Sequence, residues 1–166
     1  MLFYPTYVPT MQFLSFSLTD ENQFMLPGSN LAEVLSLDPI EISPIPDMHP
    51  SVMGVCNWRG QVLWVVDLAY LLGFGAFFSQ GLSYPKYSVI VIRSQGKFLG
   101  LAVRKMGSFV GYEALELQPA PTILNPQMQV LSSCLKGQIA SPQGKKMLVL
   151  DADAIVNFLR QRSQHY

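Results

Sequence analysis

Short apolar runs broken by turn residues dominate this chain, in place of long amphipathic stretches. Between Gln12 and Leu18 the apolar Phe13, Leu14, Phe16 and Leu18 interleave with Ser15 and Ser17, close to the two-residue period of a half-buried strand. Thr19-Asp20-Glu21-Asn22 is a polar turn, Gln23 to Leu26 the return strand, and Pro27-Gly28 a stop. From there the pattern changes. Leu31, Val34 and Leu35 fall at i, i+3 and i+4, and Asn30 with Glu33 has capping-box spacing, which predicts a short helix with Glu33 as cap partner. Ile40 to Ile45 reads as a strand ended by Pro46, and His49-Pro50 opens a turn. Val52 to Asn57 and Gln61 to Val66 predict a hairpin around the tight turn Trp58-Arg59-Gly60. Asp67 then caps a helix over Leu68 to Leu72 that Gly73 closes, and Phe74 to Pro85 reads as a loop.

The second half repeats this plan. Ser88 to Ile92 and Phe98 to Val103 predict a hairpin around Ser94-Gln95-Gly96. Leu135 to Ala140 and Met147 to Leu150 predict another around Ser141 to Lys145, and Asp151 and Asp153 start a helix through Leu159. Gly60 stands seven positions before Asp67, as Gly144 stands seven before Asp151, and each interval runs glycine, apolar strand, aspartate, short apolar helix. The reading is a mainly β fold: a pseudo-duplicated pair of small antiparallel barrels, each closed by a short helix, closure removing most sheet edges. The boundaries are a loose N-terminal arm over 1–11, one domain over 12–160 made of subdomains near 12–85 and 86–160, and a polar tail over 161–166. Strand exchange between the two barrels is left open.

Composition narrows the function. At 166 residues the chain suits one domain, and 49% apolar residues exclude a disordered tail. Charged residues are 13%, against a usual ~25%, so apolar groups stay exposed, which favours a protein that works in contact with others. Eleven basic and 11 acidic residues exclude a duplex-binding module. That neutrality hides an asymmetry: residues 1–58 sum to −6 with no Lys or Arg, and residues 59–166 sum to +6. Two oppositely charged faces, or charges interleaved by folding, are both open readings. The absence of early basic residues excludes a secretory n-region, and Val62 to Phe78 is too short and carries Asp67, so no membrane insertion is expected.

Site chemistry is sparse. Cys56 and Cys134 fit no zinc or disulfide spacing and read as buried, reduced thiols of a cytosolic protein, with His49 and His165 the only conceivable partners for a nucleophile. Gly137 to Lys146 has the outline of a phosphate loop but six residues between its glycines where four are needed, and reads as a hairpin turn. Asp151 and Asp153 are two carboxylates at a helix start, better explained as caps than as metal ligands. No catalytic residue, metal site or cofactor is expected. What stands out is Asn57 and Arg59 in the turn between two apolar strands. Asn57 can bond its own backbone, Gly60 supplies a conformation that a side chain would oppose, and a turn-tip arginine offers a planar fork to a partner's carboxylate or carbonyl groups.

The segment Gly54-Val55-Cys56-Asn57-Trp58-Arg59-Gly60, followed by Val65-Val66-Asp67-Leu68, resembles the CheW family of chemotaxis coupling proteins. Trp64 replaces the proline usual in that run. FLSFSL, LAEVL, SVIVI with GKFLGLAV, LQPAP at 117–121, and LKGQIASPQGKKMLVLDADAIV resemble further family segments in order, over 12–160. One departure is Arg104-Lys105-Met106 where the family usually has an acid. The resemblance implies two small SH3-like β-barrel subdomains side by side with a few short helices. It implies a non-catalytic cytoplasmic scaffold, recruited to receptor arrays, that couples the cytoplasmic hairpin tip of a methyl-accepting chemoreceptor to the regulatory domain of a CheA-type histidine kinase. Flagellar swimming, pilus-based twitching and light-directed movement are all open outputs. By position it assigns receptor binding to Arg59, with Asn57 and Gly60 shaping its turn and Leu31 and Glu33 matching helix positions of the same region. The competing readings are a cytosolic small-ligand-binding barrel whose pocket is Trp58, Trp64 and Phe77-Phe78, and a CheW-like protein that modulates the kinase without receptors.

Overall fold

The computed structural model describes residues 9–75 and 86–163. In chain order the elements are β1 (Thr10–Ser17), β2 (Gln23–Pro27), β3 (Leu31–Leu37), β4 (Val52–Trp58), β5 (Gln61–Asp67) and α1 (Leu68–Leu71). They continue as β6 (Tyr87–Ser94), β7 (Lys97–Val103), β8 (Lys105–Glu113), α2 (Gln129–Ser133), β9 (Leu135–Ala140), β10 (Lys146–Leu150) and α3 (Ala152–Ser163). The strands form two five-stranded sheets, ordered β8-β1-β2-β10-β9 and β3-β6-β7-β5-β4, the sheets of two small SH3-like barrels.

Each sheet draws on both halves of the chain. The hairpin β1–β2 lies beside β8, β9 and β10, and the hairpin β6–β7 beside β3, β4 and β5. The halves correspond strand for strand. β5 joins β7 in parallel, with Val66 opposite Leu101, and β10 joins β2 in parallel, with Val149 opposite Met25. The two aspartates that end these strands cap the helices that follow. Asp67 Oδ1 accepts the Tyr70 N–H at 3.2 Å, and Asp151 Oδ1 accepts the Ala154 N–H at 3.1 Å.

This exchange explains the apolar runs. Val89 and Val91 point into the barrel they share with Leu63, Val65 and Trp58. Ile90 and Ile92, alternating with them, enter a larger core between the barrels with Phe16, Phe24, Leu26, Leu101 and Leu150. A strand buried on both faces has no polar positions to alternate. Phe13, Met25, Ile139, Met147 and Val149 fill the other barrel.

Several elements differ from the sequence reading. The segment Leu31–Leu37 is a strand, not a helix: it pairs antiparallel with β6, Leu35 opposite Val89. Seven residues satisfy either period, and the alternating Leu31, Glu33, Leu35 and Leu37 are the more buried set in the strand. Asn30 therefore caps no α-helix and instead donates from Nδ2 to the Arg93 carbonyl at 3.1 Å. The strand expected over Ile40 to Ile45 is reduced to a bridge between Ser43 and Val55, preceded by a 3-10 turn over Pro39–Glu41. Pro39, Pro44 and Pro46 lack the N–H groups a ladder needs. β8 and α2 were not anticipated, β1 begins at Thr10 and α3 runs to Ser163. Residues 1–8 of the expected arm, 164–166 of the expected tail, Phe77, Phe78 and His165 lie outside the described residues.

Candidate functional site

The β4–β5 hairpin turns on two residues, Arg59 at φ 51 and Gly60 at φ 74. Two successive positive φ values at a two-residue loop are the signature of a type I′ turn, whose twist matches that of the strands it joins. Gly60 is needed for conformation, not for space, since a Cβ there would meet nothing within 4 Å. Asn57 Oδ1 accepts the Gly60 N–H at 3.0 Å and fixes the turn from the strand side. Arg59 is a β-carbon-bearing residue held in the left-handed region, as are Asp47 and Gln95, the latter in the β6–β7 turn.

Trp58, the last residue of β4, points into its barrel and is buried. Its indole N–H donates to Glu33 Oε2 at 2.6 Å, and the same oxygen lies 3.2 Å from the Arg59 guanidinium. Arg59 also stacks over the indole, 4.8 Å from its centroid, and Phe98 of β7 packs on it with centroids 4.8 Å apart. Glu33 thus pins both the indole that ends β4 and the guanidinium of the turn residue that follows it. β3 and β4 are the two edges of their sheet, so these contacts bridge the open side of the barrel. Even so, the Arg59 side chain is 64% exposed and that of Glu33 36%. The arrangement offers a partner a guanidinium with fixed direction and an aromatic backing.

Glu33, Asn57, Arg59 and Gly60 therefore come together. Leu31 does not join them and packs against the core between the barrels, two residues back along β3. Glu33 reaches the site from a strand rather than from the expected helix. Sequence reasoning missed Trp58 and Phe98 as members; an aromatic residue immediately before a turn arginine was the available signal. A cavity of about 390 Å³ adjoins the turn, lined in part by Glu41, Val55, Asn57, Gly60 and Val62.

The other sequence candidates resolve differently. Cys56 and Cys134 are free and buried, and burial pushes both thiols up from their ordinary value, the opposite of an activated nucleophile. Asp151 caps α3, and Asp153 accepts a hydrogen bond from the buried Ser94 hydroxyl. Trp58 and Trp64 lie on opposite faces of their sheet, so they cannot form the single ligand pocket of the competing reading. Arg104, at the place of the family's usual acid, pairs with Asp20 at 2.8 Å. That pair and Arg59 with Glu33 each join a residue of the acidic first third to one of the basic remainder, so folding interleaves at least these charges.

Comparison with known proteins agrees with this architecture. The CheW-like domain family matches residues 12–160. The chemotaxis protein CheW of Helicobacter pylori is 25% identical over 115 residues, covering 69% of this chain and 66% of that protein. The crystal structure of the scaffolding protein TtCheW from Thermoanaerobacter tengcongensis superposes with a TM-score of 0.74 at 19% identity, covering 89% of this chain and 92% of that one. With the family matched across nearly all of the described fold, this chain belongs to the CheW-like domain family, the scaffold family of chemotaxis.

Proposed function

We propose that this chain is a non-catalytic adaptor that holds a chemoreceptor's cytoplasmic hairpin tip and the regulatory domain of a CheA-type histidine kinase in one assembly. The observation that carries this reading is Arg59, held at a hairpin tip and backed by Trp58 and Glu33, with most of its side chain still exposed. An arginine already oriented loses less freedom on binding, which favours it as an interface anchor. Glu33, Asn57 and Gly60 position it, while Leu31 lies apart from it, packed against the core between the barrels.

The adaptor works in the cytoplasm beside the membrane. Among the described residues, no helix is long and apolar enough to cross one. Coupling requires only that receptor and kinase be held together so that a receptor shift biases the kinase. Pull-down with a receptor tip fragment and, separately, with the kinase regulatory domain tests the reading. Both should be retained by the folded protein, and Arg59→Ala should release the receptor fragment alone. Retention of neither fragment would reject the adaptor role, and retention of the kinase domain alone would favour a receptor-independent modulator.

A further inference from the structure

The two barrels correspond strand for strand but differ at one end. Along β3, Leu31 pairs with Ile92 and Val34 with Ile90, so Ala32 and Glu33 share Val91 at a bulge. Along β8, Met106 pairs with Phe16 and Phe109 with Leu14, so Gly107 and Ser108 share Ser15 in the same way. Ser108 is therefore the counterpart of Glu33. Cys56 pairs with Leu63 as Ile139 pairs with Met147, which makes Ser141 the counterpart of Trp58. Trp58 pairs with Gln61, and likewise the Ser141 N–H donates to the Lys145 carbonyl at 2.7 Å. Val91 pairs with Gly100 as Ser15 pairs with Met25, so Gln23 stands where Phe98 does.

In the first barrel these three side chains close the end. Trp58 is buried, Phe98 packs on its indole, and Glu33 accepts the indole N–H across the opening between β3 and β4. In the second barrel Ser141, Gln23 and Ser108 do not close it. A cavity of about 520 Å³ lies there, walled by these residues and Ser15, with Tyr112 and Met147 towards the barrel core. Ser15 follows Phe13 by two residues and Gln23 precedes Met25 by two, so both share the face that holds this barrel's core. Ser15 Oγ is fixed in place, donating to the Ser108 carbonyl at 3.0 Å and accepting its N–H at 2.9 Å. Among the described residues, no other side chain engages the Gln23 amide or the Ser108 hydroxyl. None of the lining residues is charged.

We propose that the mouth of the second barrel binds a small neutral aromatic molecule, a planar ring system with a hydrogen-bond donor on its edge, seated as Trp58 and Phe98 are in the first. Barrel mouths are frequent ligand sites, and the cavity falls within their usual range of about 300–1,000 Å³. Tyr112 and Met147 offer the ring an aromatic and a sulfur contact. The Gln23 amide oxygen or the Ser108 hydroxyl takes the part that Glu33 plays for the Trp58 N–H. An ion would give up its hydration here without a compensating charge, which selects for a neutral molecule. The site uses neither Arg59 nor Glu33, so it stands or falls independently of the adaptor reading.

Titrating the full chain with indole, read by backbone amide NMR shifts, tests this. The expected result is saturable shifts at Ser15, Gln23, Ser108 and Ser141 with a Kd below about 1 mM. Indene, which has the same shape without the N–H, should bind several-fold more weakly. Ser141→Trp places in this mouth the ring that the first barrel already holds, and should weaken indole binding by at least about tenfold. Gln23→Phe, at an exposed position outside the β9–β10 turn, should do the same and guards against a misfolded Ser141→Trp. Trp64→Ala alters the separate apolar cavity that Trp64 and Leu159 line, and should leave indole binding unchanged. A Kd above that value, shifts confined to the surroundings of Trp64, or equal affinity for indene overturns the inference. So does undiminished indole binding by either variant in its folded form, or loss of binding in Trp64→Ala.

Discussion

Replacing Arg59 by glycine and by alanine separates the backbone of the turn from the side chain it presents. At φ 51 a residue with a β-carbon carries roughly 1–2 kcal/mol of left-handed strain, which glycine does not. Both substitutions remove the exposed pair with Glu33, worth about 0–1 kcal/mol, and the stacking on Trp58, worth about 0.5–1 kcal/mol at an exposed site. For Arg59→Gly the relieved strain offsets the lost contacts, and stability should stay within about 1 kcal/mol of the unaltered protein. Arg59→Ala keeps the strain and loses the contacts, so it should fall below the glycine variant by about 1 kcal/mol, or about 2–4 °C in Tm for a domain of this size. Urea unfolding with a common m-value measures the difference. Receptor-tip binding should be lost equally in both. An alanine variant as stable as the glycine one would refute the strained turn. A glycine variant destabilised by several kcal/mol would show that Arg59 is a structural clamp.

Four further outcomes follow from the geometry. Trp58→Phe leaves Glu33 without its indole donor and should cost about 1–3 kcal/mol in urea unfolding while loosening Arg59. Gly54→Ala should destabilise far more than Gly60→Ala, since a Cβ at Gly54 lies 2.2 Å from the Ser43 carbonyl oxygen while one at Gly60 meets nothing; thermal melts rank them. Asp67→Ala and Asp151→Ala should each lose about 0.5–2 kcal/mol as equivalent helix caps, and a melt in which one of them is neutral would break that equivalence. Burial and the nearby Arg162 lower the His49 pKa, and the Ser51 N–H donates to its Nδ1 at 3.2 Å, so the fold favours the neutral ring. That stability is whole above the ordinary histidine value of about 6.5 and is lost as pH falls through it towards the lowered folded value. His49→Gln should flatten this part of the pH dependence of the urea midpoint.

The parts of the fold legible in the sequence were those decided locally. The β4–β5 hairpin carries its own turn chemistry in Asn57 and Gly60, and α1 and α3 carry their own caps in Asp67 and Asp151. β3 was misread because LAEVLSL satisfies both helical and strand periods, and pairing with β6, more than fifty residues away, decides between them. β8 escaped notice for a related reason. Its Gly107 and Gly111 look like breakers, yet they fit close approach to β1: a Cβ at Gly107 would lie 2.2 Å from the Ser15 hydroxyl oxygen. At the candidate site, Arg59 and Asn57 were visible as a turn motif. Glu33 was noticed for a cap it does not make, and its contact with Trp58 exists only because β3 and β4 border the same barrel opening.

The adaptor account rests on one chain engaging two partners through separable surfaces, with Arg59 serving only the receptor. Analytical ultracentrifugation of the full chain with a receptor tip fragment and the kinase regulatory domain, each carrying its own absorbing label, tests this most directly. The account predicts that both labels co-sediment in one ternary species with the unaltered chain, and that Arg59→Gly leaves the kinase label bound while the receptor label sediments free. Two mutually exclusive binary complexes, or a ternary species indifferent to Arg59→Gly, would contradict it.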